Sequence, residues 1–146
     1  GVTTADCAPV VLAASNGDRA ALAVVHAGWK GLLHGIVEVA AATVQGLVGP
    51  VAHLSAYCGP CIGPDHYAFS PQDLGRFSKR YGPDVVAATS EGEPSLDLFA
   101  GVGIAIERGG FPVPARPTST AEQRYFSHRV RKDPERMTTV AQLVSL

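Results

Sequence analysis

The chain has 146 residues, 46% of them hydrophobic, and a formal net charge of −1. That is enough material for one domain burying roughly 70% of its unfolded surface. It is too near neutrality to leave an electrostatic footprint for nucleic acid or an anionic membrane. No apolar run reaches the roughly 18–20 residues of a membrane span, because His34, Glu38 and Gln45 break the apolar stretches. Three cysteines is an odd count, and with many Ala, Val and Gly residues it reads as a reducing, cytoplasmic setting rather than a disulfide scaffold. The chain starts at Gly1, without Met, and enters strand-like sequence at once, so an N-terminal segment is expected to be missing from what otherwise reads as a single domain over 1–146.

The first predicted unit is a hairpin. Residues 9–14 and 19–25 are apolar runs around Asn16-Gly17, a pair that suits a two-residue type I′ turn. That turn sets Cys7 directly opposite His26, on one face, with Cβ atoms about 4.5–5.5 Å apart. Both faces are apolar, which places the hairpin inside a layered structure. Pro9 cannot donate to a ladder and marks an edge or a bulge.

Residues 31–48 read as a helix closed by Gly49-Pro50. Residues 53–58 read as a strand, 59–64 as a tight loop, and 71–81 as a helix with Ser70 as N-cap and Pro71 at its first position. Residues 83–94 suggest a loop or weak helix, and 96–109 a second apolar helix. Strand candidates follow at 113–118, 124–129 and 139–146, separated by a charged loop over 131–136. There is no repeat, linker or regular βαβ rhythm, so the class is α+β, or mixed α/β.

Cys7 and His26 are the leading site candidates. A thiolate and an imidazole at one end of one face suit zinc or copper, although a catalytic zinc normally takes three protein ligands. The same pair also suits a nucleophile and its base, with backbone amides around Gly28 as an oxyanion site, and residue type alone leaves both open. Asp6 lies beside them. Cys58 and Cys61 form a CxxC without the helix or second ligand pair that a redox or metal role needs, and read as a structural loop. Trp29 reads as packing under the turn or as a stacking surface. Lys30 and Arg129 are candidate anion ligands. His34 and His53 read as surface groups, and His66 as a group that lines a pocket.

Four ordered blocks carry a resemblance: Thr4-Ala5-Asp6-Cys7-Ala8-Pro9, Val25-His26-Ala27-Gly28-Trp29-Lys30-Gly31, Gly59-Pro60-Cys61-Ile62-Gly63-Pro64 with Tyr67, and Tyr125-Phe126-Ser127-His128-Arg129 leading to Arg136-Met137. Together they resemble the YfiH/YlmD family, long labelled polyphenol oxidase or laccase-domain proteins. Its members are described as purine nucleoside phosphorylases with adenosine deaminase and methylthioadenosine phosphorylase activities. The resemblance implies a β-sheet sandwich core flanked by helices. It also implies a metal site using Cys7 and His26, with a third His ligand from an upstream block that these residues do not include. The chain departs from the family pattern at Ala68-Phe69, Ser119-Thr120, His128 and Val130.

The expectation is therefore a zinc-dependent purine nucleoside phosphorylase with deaminase activity. Purine nucleoside and phosphate are its small-molecule partners, and neither nucleic acid nor membrane is a partner. Cys7 and His26 are its metal ligands and, with Asp6 as an orienting or proton-transferring carboxylate, its catalytic residues; Lys30, Arg129 and Trp29 are its substrate contacts. The competing readings are a copper-dependent phenol oxidase, a Cys–His hydrolase, and a non-catalytic domain, including a homodimer that completes its site from a partner chain.

Overall fold

The computed structural model describes residues 1–50 and 53–144. Its centre is an antiparallel three-stranded sheet. Strand β1 (Val2–Thr4) precedes it, followed by β2 (Ala8–Ser15) and β3 (Ala20–Ala27). Helices α1 (Trp29–Leu33) and α2 (Ile36–Val48) come next, then β4 (His53–Cys58). The sheet order is β3-β2-β4, with the hairpin's first strand in the middle. The class is mixed α/β, as expected.

Helix α2 packs one face of this sheet. Val37, Ala41, Val44 and Val48 are its buried stripe, and Val10, Leu12, Ala14, Val25 and Cys58 are buried residues of the sheet. The spacing of four and three is what a helix resting on a sheet requires. Ile36, Val39 and Leu47 fall outside the stripe and are exposed. The predicted single helix over 31–48 is broken, because Gly35 takes a left-handed conformation with φ of 80° between α1 and α2.

Helix α3 (Pro71–Tyr81) begins as predicted, with the Ser70 hydroxyl accepting the Asp73 amide and Pro71 at the first position. Residues 83–96 are not a loop or weak helix alone. A short 3-10 turn leads into a hairpin of β5 (Val86–Ala88) and β6 (Pro94–Leu96). Helix α4 (Leu98–Arg108) follows, capped by Asp97, whose carboxylate accepts the Ala100 amide. Leu98, Val102, Ala105 and Ile106 of α4 complete the core.

Two strand predictions fail. Residues 113–118 contain Pro114 and Pro117 and form no strand, because proline brings no ladder donor. Residues 124–129 instead lead into a one-turn helix, α5 (His128–Arg131), with Ser127 capping the Val130 amide. The final strand, β7, is Met137–Thr139 and pairs antiparallel with β1. Residues 140–144 of the third candidate are not strand, and its last two residues, 145 and 146, lie outside the described residues.

The predicted register is also wrong by two. Ala8 faces Ala27 and Pro9 faces His26. Only Gly17 of the Asn-Gly pair has positive φ, whereas a type I′ turn needs it at both positions. Asn16 uses its side chain instead: its carboxamide oxygen accepts the amides of Asp18 at 3.1 Å and Arg19 at 2.8 Å. The result is a four-residue loop, Asn16 to Arg19. A slip of one would have turned Cys7 away from His26, but a slip of two preserves the face. Pro9 sits not at an edge but near the start of the central strand, where its carbonyl still accepts the Gly59 amide at 2.9 Å.

Candidate functional site

The two ends of the hairpin build the site. Cys7 lies just before β2 and His26 is the next-to-last residue of β3. Gly28 then caps α1, and Trp29 is that helix's first residue. A Cβ placed on Gly28 would lie 3.0 Å from Cys7 Sγ and 3.8 Å from His26 Nε2. The thiol and the imidazole therefore converge on the space that glycine leaves open. Gly28 has φ of −81°, so closeness, not backbone strain, favours glycine here.

A cavity of about 370 Å³ opens at this point, lined by Thr3, Thr4, Ala5, Asp6, Cys7, His26, Trp29, Tyr67, His128, Arg129 and Arg136. It gathers residues from β1, the hairpin, α1, the loop after β4 and the α5 region. Of the candidates that the sequence singled out, it holds Cys7, His26, Asp6, Trp29 and Arg129. Lys30 is not in the lining; its ammonium sits 5.3 Å from the Trp29 ring centroid and is exposed. His34 caps its own helix, Nδ1 donating to the Lys30 carbonyl at 2.7 Å. His53 is exposed, and His66 lines a different pocket among Asp65, Glu91 and Glu93. Cys58 and Cys61 are buried, free thiols outside this cavity.

Asp6 is held by three donors. Its Oδ1 accepts Thr120 Oγ1 at 3.0 Å and Ser127 Oγ at 2.6 Å, and its Oδ2 accepts the Arg129 amide at 2.8 Å. Its own carbonyl accepts the Ile62 amide at 2.9 Å. The residue beside the thiol thus ties three distant parts of the chain together.

Burial, and next the Asp6 charge, push the Cys7 thiol above its ordinary value of 9.0. Burial likewise pushes the Tyr67 hydroxyl up, with the neighbouring Cys7 adding to it. A thiol left to these surroundings stays protonated, which is the reverse of an activated nucleophile. A cation beside it would favour the thiolate. One sulfur and one imidazole nitrogen beside a gap that a Cβ would fill are a donor set that suits zinc. Among the described residues, no third His, Cys, Asp or Glu joins them in a ligand group.

The aromatic wall interlocks edge to face. Trp29 and Phe69 meet edge to face with centroids 5.7 Å apart, and Tyr67 meets Phe69 at 4.8 Å. The Arg129 guanidinium lies 5.1 Å from the Tyr67 ring centroid, a cation–π arrangement. The sequence assigned no role to Tyr67, His128, Arg136, Thr3 or Thr4. Tyr67 and His128 stand within the family-like blocks, but nothing in their spacing predicts a shared cavity. Arg136 belongs to a charged run that reads as solvated surface.

Fold and cavity together define a mixed α/β domain with a Cys–His site under an aromatic and arginine-rich wall. Residues 1–144 match the family described as multi-copper polyphenol oxidoreductase laccase, and the chain belongs to that family. A relative in Xylella fastidiosa (strain 9a5c), named purine nucleoside phosphorylase, is 34% identical over 147 residues, covering 96% of this chain and 55% of its own. Purine nucleoside phosphorylase YfiH of Shigella flexneri is 30% identical over 151 residues, with 98% and 58% covered. The crystal structure of YlmD from Geobacillus stearothermophilus shares the fold, with a TM-score of 0.68 at 24% identity over 89% of this chain and 51% of that one. The chain therefore spans about half the length of the curated relatives it matches.

Proposed function

We propose that the protein cleaves purine nucleosides by phosphorolysis, at a zinc site to which this chain contributes Cys7 and His26, with adenosine, inosine and methylthioadenosine as substrates and adenosine deamination as a second activity. In phosphorolysis an oxygen of phosphate bonds to ribose C1′ as the C1′–N9 bond breaks. The bonding pair leaves on the purine, which takes up a proton. The reaction needs a flat surface for the base, cations for the phosphate, and a site that orients both. Trp29, packed edge to face on Phe69, offers an aromatic surface, and the buried Tyr67 ring backs the cavity beside Arg129. Arg129 offers charge from the same wall. When bound, the metal supplies Lewis acidity for the hydrolytic step of deamination. Asp6, whose oxygens accept three hydrogen bonds, serves in this reading as the orienting carboxylate beside Cys7.

The observation that carries the reading is the single cavity that joins Cys7 and His26 to Trp29, Tyr67 and Arg129. The phosphorylase names of the relatives point the same way. The family's description points to copper and phenol oxidation instead, and the thiol–imidazole pair alone accepts either metal. The decisive experiment measures zinc and copper content alongside phosphate-dependent release of hypoxanthine from inosine. Cys7→Ala is expected to lose zinc and phosphorolysis together. Undiminished turnover in metal-free Cys7→Ala would overturn the proposal, and bound copper with turnover of phenols alone would favour oxidation.

A further inference from the structure

The wall built by residues 128–136 has an imbalance of charge. Two carboxylates beside it, Asp6 and Asp133, are hydrogen-bonded, and the donors on Asp6 are uncharged and leave its charge in place. Asp6 accepts the three donors described above. Asp133 Oδ2 accepts the Ser127 amide at 2.8 Å and pairs with Arg131 at 3.0 Å. Arg131 is thereby neutralised and also donates to the carbonyls of Ala121 and Tyr125.

Arg129 and Arg136, the two arginines that line the cavity, have no carboxylate partner among the described residues. Each is nonetheless held in place. Arg136 Nη1 donates to the carbonyls of Asp133, Pro134 and Glu135 at 3.0, 2.9 and 2.8 Å. That anchors one nitrogen of the fork and leaves the remaining N–H donors uncommitted. The Arg129 guanidinium lies over the Tyr67 ring, 5.1 Å from its centroid, a contact that uses no N–H. The His128 ring and the hydroxyl residues Thr3 and Thr4 share the lining.

Two anchored guanidinium groups with spare donors and no ion-pair partner among the described residues outnumber the one carboxylate in the lining, Asp6, and make a recognition surface for a phosphoryl anion. We propose that Arg129, Arg136 and His128 form the seat for inorganic phosphate, with Arg136 as a substrate-binding residue. The identity of the anion rests on the phosphorolysis reading; the seat itself rests on the charge and anchoring of these groups.

The test measures binding of inorganic phosphate to the metal-loaded protein without nucleoside, by equilibrium dialysis with radiolabelled phosphate. Arg129→Met and Arg136→Met are each expected to weaken binding by roughly 10- to 100-fold, the effect of losing a hydrogen bond to a charged group. Arg136→Lys keeps the charge but not the fork and should fall between Arg136→Met and wild type. Arg19→Met removes an exposed cation from the hairpin loop and should leave binding unchanged. Should Arg136→Met fail to fold, Arg129→Met decides, since its side chain holds no backbone carbonyl.

Equal affinity in wild type and both pocket variants would overturn the seat. So would an equal loss in Arg19→Met, which would mark unspecific surface binding. Turnover separates the two proposals. Phosphorolysis with an unchanged KM for phosphate in Arg129→Met and Arg136→Met sinks the seat and spares the function. Phosphate bound through these arginines without nucleoside cleavage supports the seat and sinks the function.

Discussion

Asp6 stands at the seam between the two ends of the chain. Its carboxylate collects a hydroxyl from Thr120, a hydroxyl from Ser127 and the amide of Arg129, so it positions the α5 region against the residue next to Cys7. Hydrogen bonds to a charged acceptor contribute about 1.5–3 kcal/mol each when broken one at a time. Asp6→Asn keeps the size but replaces one acceptor oxygen with an NH₂ group. One of the three donors then faces another donor. The variant is expected to lose about 2 kcal/mol of stability in urea titration, and the Ser127 and Arg129 amides should exchange faster with solvent. Unchanged exchange at both amides would show that this segment is held by something else. The role of Asp6 was not legible in the sequence. An acidic residue beside a candidate ligand reads as chemistry, whereas its three donors lie 114 to 123 residues away and carry no local signal.

Among the elements, what was legible follows a physical rule. Helix α3 announced itself through Ser70 and Pro71, both local capping chemistry. The hairpin's existence was legible too, but its register depended on whether Asn16 took positive φ or bonded with its side chain, and composition does not decide that. The pairing of β1 with β7 joins opposite ends of the chain, so no local pattern could reveal it. The break between α1 and α2 lies between these cases, since a glycine inside an apolar periodicity is often tolerated. Here Gly35 has φ of 80° and packs so closely that a Cβ would lie 2.8 Å from Arg80 Nη2, a nitrogen that pairs with Glu38 at 3.0 Å. Gly35→Ala is therefore expected to cost about 1–2 kcal/mol from the left-handed backbone, plus whatever the displaced Arg80–Glu38 pair contributes. Repeating it in an Arg80→Ala background should leave only the backbone part. Gly46 is the control: it lies in α2 with no atom within 4 Å of an added Cβ, so Gly46→Ala should stabilise by roughly 0.5–1 kcal/mol through helix propensity. Thermal melts of the four variants suffice, and a neutral Gly35→Ala would remove the argument that the break is built in.

Across the described residues, the sheet is fully buried on one side and only partly on the other. The sequence has apolar residues on both faces of the hairpin, which implies layers above and below, yet the core packs against Ala21, Ala23, Leu54 and Ala56 on the α2 side. Val11, Ala13, Leu22 and Val24 on the other face are only partly buried, and Tyr57 is 56% exposed. His26 belongs to that same open face by register, opposite Pro9 and two residues from Val24. The uncovered sheet and the Cys7–His26 site are thus one surface, in a chain about half the length of its relatives. If the face is open in the 146-residue chain, its side chains contribute little to folding. Tyr57→Ser should then cost less than about 1 kcal/mol, within the range of surface changes. Leu12→Ala, on the covered face at 0% exposure, should cost about 2–5 kcal/mol because it leaves a cavity as well as losing buried area. Urea titrations of both variants at several protein concentrations make the comparison. A loss above about 2 kcal/mol for Tyr57→Ser that grows with protein concentration would show that copies of the chain cover the face. The same loss at every concentration would show that the chain covers it by itself, and the one-sided sheet would be wrong.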